Sequence, residues 1–256
     1  MCGFYEKREE LKKFFYEIKD CRNCKLGDTR INFVFGSGSA QSKVMFIGEA
    51  PGRNEDLQGK PFVGQAGKIL DELLALIGFE RKEIFIANVL KCRPPQNRDP
   101  QSVEINSCKN YLFRQIKIID PAIICTLGRH STQLILKTDK SITGLRGRIF
   151  KVDNRFIMPI NHPAAALYTP ARMEILRNDF LKLKKVMQIV NGEQPESSLF
   201  IETSPGSDKE QDSSKIINDN KGISPEDTIR EKAYEAAADS DRAESENNTM
   251  DQMELF

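Results

Sequence analysis

Apolar residues recur over the first 190 positions in two different periods. Leu11, Phe14, Phe15 and Ile18 fall at i, i+3, i+4 and i+7, a spacing that places all four on one face of a helix. Leu70, Leu73, Leu74 and Ile77 repeat that spacing, and Gly78 then stops it. Between the helical patterns lie short apolar runs at 44–47, 84–87 and 123–127, and a pair at 149–152 and 156–160 that reads as a hairpin. Strands alternating with helices predict an α/β fold: one αβα sandwich around a central, mainly parallel sheet. Such sheets bind ligands outside the carboxyl ends of their strands. Here those ends are Gly48-Glu49-Ala50-Pro51-Gly52, Asn88, Gly128-Arg129-His130 and Asn161-His162-Pro163.

The pattern stops near residue 190. Beyond it come Ser, Asp, Glu, Asn and Pro with isolated apolar residues, too few to offset the entropy of ordering. The expected organisation is a 1–190 domain and a disordered acidic tail over 191–256, with a short helix possible at 225–238. Charge divides at the same place. Residues 1–190 hold 32 Lys and Arg against 20 Asp and Glu, whereas 191–256 hold 6 against 17. The near-neutral total of +1 therefore conceals a basic body and an acidic tail. A basic body suits phosphate contacts, although solvated basic faces are common. No run approaches the ~18 apolar residues of a membrane span, and the first residues lack the basic-then-apolar order of an export signal. The expectation is a cytoplasmic protein, nucleoid-associated in a prokaryote, with no membrane partner.

In that compartment six cysteines read as metal ligands or reduced thiols. Cys21 and Cys24 form a C-x2-C pair, and Cys92 and Cys108 a second pair beside Pro94-Pro95. Zinc and an iron–sulfur cluster both take four cysteines, so the residues alone admit either. Ordinary buried thiols are the plainer alternative. Cys125, in an apolar strand, and Cys2, at the terminus, read as non-ligands.

Several motifs then occur in order: Gly48-Glu49-Ala50-Pro51-Gly52, Glu55-Asp56, Gly59-Lys60-Pro61-Phe62-Val63-Gly64, Asn88-Val89-Leu90-Lys91-Cys92-Arg93-Pro94-Pro95 and His162-Pro163-Ala164-Ala165. Together with both cysteine pairs they resemble the family 4 uracil-DNA glycosylases over about residues 6–188. The resemblance implies a uracil-DNA glycosylase-like fold, one structural [4Fe–4S] cluster on Cys21, Cys24, Cys92 and Cys108, and hydrolytic excision of uracil from single- or double-stranded DNA. Neighbouring families replace the first-motif Glu or insert a basic, His-bearing loop after the third strand. Here Glu49 is present, and the 137–148 segment is short and has no His.

For that chemistry a buried base must be flipped out and its Watson–Crick edge read in a pocket. Asn88 can donate to uracil O4 and accept from N3–H, the pattern that cytosine inverts. Phe62 offers a face for the pyrimidine. The departing base carries negative charge, so a donor aimed at its O2 acts mainly in the transition state; His162 and the backbone N–H groups around Ala50 are the candidates. A carboxylate near the anomeric carbon would stabilise the oxocarbenium-like sugar and orient water. Glu49 is the candidate. In family 1 glycosylases an Asp stands where this motif places Ala50, which leaves a backbone group as the other way to hold the water. Gly48 and Pro51 complete the uracil-binding loop, and the resemblance implies that Glu55 lies near the pyrimidine C5 edge and helps exclude thymine. Leu167 and Tyr168 follow the His-Pro motif and could wedge into the gap left by the flipped base.

Each residue has a blander reading as well. Asn88 could cap a loop, Phe62 could be core, His162 could belong to a turn, and Glu55 with Asp56 could be solvated helix-start carboxylates. At the C-terminus, Gln252, Met253, Leu255 and Phe256 resemble the short peptides with which DNA-processing proteins dock into sliding clamps. The expected state is a monomer. Two other classes stand beside the enzyme: a hydrolase of free nucleotides, which needs no basic face, and a non-catalytic cluster-bearing DNA adaptor, which needs no intact pocket.

Overall fold

The computed structural model describes residues 2–205. The first helical pattern extends to the start of the described chain as α1 (Cys2–Ile18), followed by a single turn, α2 (Leu26–Thr29). Next come β1 (Ser37–Gly38), β2 (Val44–Gly48), α3 (Arg53–Gln58), α4 (Gln65–Ile77) and β3 (Phe85–Asn88). The chain continues through α5 (Ser102–Ile119), β4 (Ile123–Leu127), α6 (Arg129–Leu136) and α7 (Ile142–Leu145), then the hairpin β5 (Phe150–Val152) and β6 (Arg155–Ile160), and α8 (Pro170–Val190). Helix α4 ends where Gly78 takes φ 84°, and the amides of Gly78 and Phe79 return to the carbonyls of Ala75 and Leu74. A left-handed residue at this position suits glycine.

The six strands lie in the order β1-β3-β2-β4-β6-β5. The four central strands are parallel, and the short β1 and β5 are antiparallel edges. Alternation along the buried strands sorts side chains to two cores. Met45, Ile47, Phe85 and Ala87 face α1 and α5, whereas Phe46, Ile86, Cys125 and Met158 face α4 and α8. The fold is thus the expected αβα sandwich, and both faces of the parallel sheet are covered. Register places Gly48 opposite Asn88, and Leu127 opposite Ile160. The loops after β2, β3, β4 and β6 therefore open at one edge. No helix among the described residues is long and apolar enough to cross a membrane.

One expected boundary is corrected. The body does not end at residue 190. Leu199 and Ile201 pack against the α4/α8 core, and Glu202 pairs with the free edge of β5. The Lys151 amide donates to the Glu202 carbonyl at 2.7 Å, and the Glu202 amide to the Ile149 carbonyl at 2.8 Å. Arg148 holds the Glu202 carboxylate. Two apolar residues suffice here because an edge strand offers unpaired backbone groups that the incoming chain satisfies. The 225–238 helix and the 252–256 peptide lie outside the described residues.

Candidate functional site

The parallel register brings Gly48 and Asn88 side by side at the ends of β2 and β3. Gly48 has a steric reason to lack a side chain: a Cβ there would lie 2.3 Å from Asn88 Oδ1 and 2.8 Å from the Phe62 ring. Its absence lets an amide and an aromatic face converge on one point. Asn88 is 2% exposed, and its Oδ1 is buried with no hydrogen-bond partner. Leaving such an acceptor unsatisfied costs about 1–3 kcal/mol. An orphaned acceptor of this kind marks a place for a ligand donor.

Phe62 is held in a conformation that its side chain does not favour. Its φ is +54°, an outlier for a bulky residue. The loop is clamped from two sides. Arg81 holds the carbonyl oxygens of Pro61 and Phe62 and pairs with Asp71 at 2.5 Å. Glu55 Oε1 accepts from the amides of Val63 at 2.9 Å and Gly64 at 3.0 Å. Gly67 lets α4 approach, since a Cβ there would meet the Phe62 carbonyl oxygen at 1.9 Å. Backbone strain fixed from several directions is a feature of binding sites. The Glu55 oxygen expected at the pyrimidine edge is thus engaged by loop amides. Asp56 is engaged likewise, accepting from the amides of Ile31 and Asn32.

His162 follows β6 and stacks on Phe62, with ring centroids 5.5 Å apart and planes 30° from parallel. Its Nδ1 accepts the Ala164 amide at 3.2 Å. That bond assigns the proton of the neutral ring to Nε2, so the far side of His162 is a donor. After the short turn Pro163–Ala166, Leu167 is half-buried and Tyr168 is 54% exposed. Ala50 is half-buried and Pro51 buried in the loop that leads to α3.

Glu49 is 9% exposed, and its Oε2 lies 2.6 Å from Nδ1 of His130. His130 was not singled out by sequence reasoning, although its position after the third strand run was noted. Glu49, His130 and Asp99 place ligating atoms within 4.8 Å of one another. Arg129 already pairs with Asp99 at 2.7 Å.

Lys91 was also unforeseen. It is fully buried, and its Nζ donates to the Asn88 carbonyl at 2.8 Å and to Gln115 Oε1 at 2.6 Å. Burial pushes its ammonium down to about 8. Lys91 ties the end of β3 to α5, the helix that carries Cys108.

Cys21 and Cys24 lie between α1 and α2, Cys92 lies after β3, and all four predicted ligands join the α1/α5 core. Cys92 lies within electrostatic reach of Cys21 and Cys24, and Cys108 within reach of Cys92 and Cys24. Three donors reach two of the sulfurs: Arg30 Nη1 to Cys92 at 3.1 Å, and the Tyr111 hydroxyl and the Asn23 amide to Cys21 at 3.2 and 3.4 Å. Burial pushes the Cys108 thiol up to about 12, opposed by the Lys91 ammonium. Four convergent sulfurs with N–H and O–H donors around them are a donor set suited to metal-bound thiolates. Cys125 is buried alone in β4, as expected of a non-ligand.

Residues 35–187 match the family model of the uracil DNA glycosylase superfamily. The chain is 47% identical to a type-4 uracil-DNA glycosylase of Sulfurisphaera tokodaii, over 70% of this chain and 85% of that one. It is 47% identical to the corresponding protein of Saccharolobus solfataricus, over 67% and 83%. It is 43% identical to that of Archaeoglobus fulgidus, over 73% of this chain and 96% of the relative.

Proposed function

The chain belongs to the type-4 uracil-DNA glycosylases, and from that premise we infer that it is a monofunctional N-glycosyl hydrolase that excises uracil from DNA and so begins base excision repair. The observation that carries the reading is the buried, unpartnered Asn88 Oδ1. Uracil N3–H is the donor it lacks, and the Asn88 amide N–H faces O4. Cytosine presents a bare N3 and an amino group at position 4, and so fails at both contacts. The pocket requires the nucleotide to be flipped, with the base stacked on Phe62.

As the glycosidic bond lengthens, charge builds on the departing base. The Nε2–H of His162 and the backbone amides around Ala50 are the donors proposed for O2, and they act most strongly where that charge has developed. Glu49 stands at the sugar side, where its carboxylate balances the oxocarbenium-like centre and orients the attacking water. Gly48 and Pro51 shape this loop, and Glu55, whose Oε1 holds the Phe62 segment, stands near the pyrimidine C5 edge and helps exclude thymine. Leu167 and Tyr168 project as the wedge.

Cys21, Cys24, Cys92 and Cys108 would hold one [4Fe–4S] cluster, whose contribution is structural. These thiols lie after α1, on α5 and in the segment after Asn88, so a cluster held by them would fix the strand end that reads the base.

Partners follow from the same reading. Uracil-containing DNA is the substrate, the enzyme acts as a monomer, and Gln252, Met253, Leu255 and Phe256 dock into a sliding clamp. Calorimetry with a peptide of the last ~15 residues tests the last point, because anchored peptides lose most affinity when their apolar anchors are truncated. The peptide carrying Leu255→Ala and Phe256→Ala should show no measurable binding.

The activity is tested by incubating the protein with single- and double-stranded oligonucleotides carrying U, T, C or hypoxanthine, and with free deoxyuridine, followed by alkali. Cleavage at U, with T, C and the nucleoside untouched, is expected. Turnover of free deoxyuridine would favour a nucleotide hydrolase instead, and binding without cleavage would favour an adaptor.

A further inference from the structure

With Glu49 placed beside the sugar, its carboxylate needs a partner that holds it there. One residue that touches it comes from a different strand end. His130 stands in the first turn of α6, directly after β4, with its side chain 12% exposed and its Nδ1 2.6 Å from Glu49 Oε2.

The proton on this contact can be assigned from the other side of the ring. Arg129 Nη2 lies 3.4 Å from His130 Nε2, and an arginine carries donors only. Nε2 must therefore accept, which leaves the hydrogen of the neutral ring on Nδ1, where it donates to Glu49. Arg129 is itself oriented by Asp99, whose Oδ2 accepts from the same Nη2 at 2.7 Å. The resulting chain runs from Asp99 through Arg129 and His130 to Glu49. Because Arg129 already neutralises Asp99 and Glu49 already holds Nδ1, these three ligating groups are engaged with one another rather than disposed around a cation.

His130 is also firmly based. Gly128 turns the chain out of β4 with φ 94°. The hydroxyl of Thr132 donates to the Gly128 carbonyl at 2.7 Å and meets Thr126 of β4 at 2.8 Å. Ser131, Thr132 and Thr126 are all fully buried. The first turn of α6 is thus pinned to the sheet, and a ring mounted on it has little freedom to follow a drifting carboxylate.

We propose that His130 is a positioning residue for uracil excision: its Nδ1–H fixes the Glu49 carboxylate at the sugar side of the pocket, and Arg129 fixes the tautomer that makes this possible. The proposal rests on the assignment of Glu49 to the reaction. His130 acts through Glu49, so its loss should slow the chemical step and leave DNA binding nearly intact.

Three substitutions separate a positioning role from a merely structural one. His130→Asn keeps an amide N–H where Nδ1 stood, His130→Gln moves that group to where Nε2 stood, and His130→Ala removes it. The measurements are the single-turnover excision rate on a uracil oligonucleotide and the Kd for the same DNA carrying an uncleavable uracil analogue. A misplacement of ~1 Å in a reacting group costs about 10²-fold, so Ala and Gln should be slower by about that factor while Asn stays within about 5-fold of the parent. Kd should change by less than about 3-fold in all three, as expected for an interaction that matters mainly in the transition state. In a Glu49→Gln background, His130→Ala should add less than about 3-fold, since residues acting through one another are non-additive.

The two assignments fail separately. If Glu49→Gln is slow but Ala, Asn and Gln at 130 all share one rate, or if His130→Ala slows Glu49→Gln by its full factor, the His130 proposal is wrong and Glu49 keeps its role. If Glu49→Gln excises at the parental rate, the assignment of Glu49 falls and takes this proposal with it.

Discussion

At the scale of single residues, the site depends on atoms whose demands are opposite. Asn88 must keep an acceptor without a protein partner, while His162 must spend Nδ1 on the Ala164 amide so that Nε2 is left as a donor. His162→Ala should therefore lower the single-turnover excision rate by about 10²–10³-fold with a much smaller loss of DNA affinity, because the donor meets full charge only in the transition state. Equal losses in rate and binding would identify a structural histidine. Gly48→Ala tests the steric argument. A methyl 2.3 Å from Asn88 Oδ1 cannot be accommodated without moving the amide or Phe62, so excision should be lost and stability should fall by about 1–3 kcal/mol, the cost of overpacking a buried site. Glu49, Asn88 and His162 were legible as candidates because each sits in a short motif at a strand end, and Phe62 because it lies in a Gly/Pro-framed loop. His130 was not legible as a partner of Glu49. The two lie 81 positions apart and meet only because β2 and β4 are neighbours in the sheet. Nor could the amide contacts of Glu55 be read, because a carboxylate beside a glycine loop looks the same whether or not it accepts from backbone amides.

At the scale of elements, the sheet and the cysteines act together. The strand runs, both helical patterns and the hairpin are where periodicity places them, since buried parallel strands leave continuous apolar signatures. The two-residue β1 has no such signature, and its pairing with β3 is decided by the strand beside it. Lys91 was hidden for a similar reason. A lysine among apolar residues gives no sign in sequence that its ammonium will bridge the Asn88 carbonyl and Gln115. Lys91→Met should lower stability by about 1–3 kcal/mol for each acceptor left unsatisfied, and should lower excision beyond the effect on folding because the Asn88 backbone loses its anchor. Thermal unfolding and single-turnover rates on the same preparations separate the two effects. The cysteine assignment is checked by metal content. Protein purified from iron-replete cells should be brown and hold about four iron per chain. Stoichiometric zinc without iron would contradict the cluster, and serine at Cys92 or Cys108 should abolish both colour and soluble expression.

At the scale of the whole molecule, the composition of the tail was a good guide to charge and a poor guide to where the body ends. Residues 199–202 look like tail, yet they supply two apolar side chains and an edge pairing to β5. Truncation after Pro205 should leave oligonucleotide excision within about 2-fold of the full chain, since it removes a net-acidic segment whose repulsion of phosphate is screened at physiological salt. Truncation after Pro195 should behave differently. It uncovers the β5 edge and leaves Arg148 without Glu202, so it should lower Tm by about 2–4 °C for each kcal/mol lost. Identical melting of the two truncated proteins would show that 196–205 contributes nothing to the body.

The claim on which the whole account rests is that one buried amide distinguishes uracil from cytosine. Its most direct test is the single-turnover excision rate of Asn88→Asp on matched oligonucleotides carrying U or C. The substitution replaces the donor facing O4 with an acceptor, which should cost uracil excision about 2–3 kcal/mol, roughly 30–150-fold, and bring cleavage at cytosine up to a measurable level. Uracil excision at the parental rate, with cytosine still refused, would contradict the account.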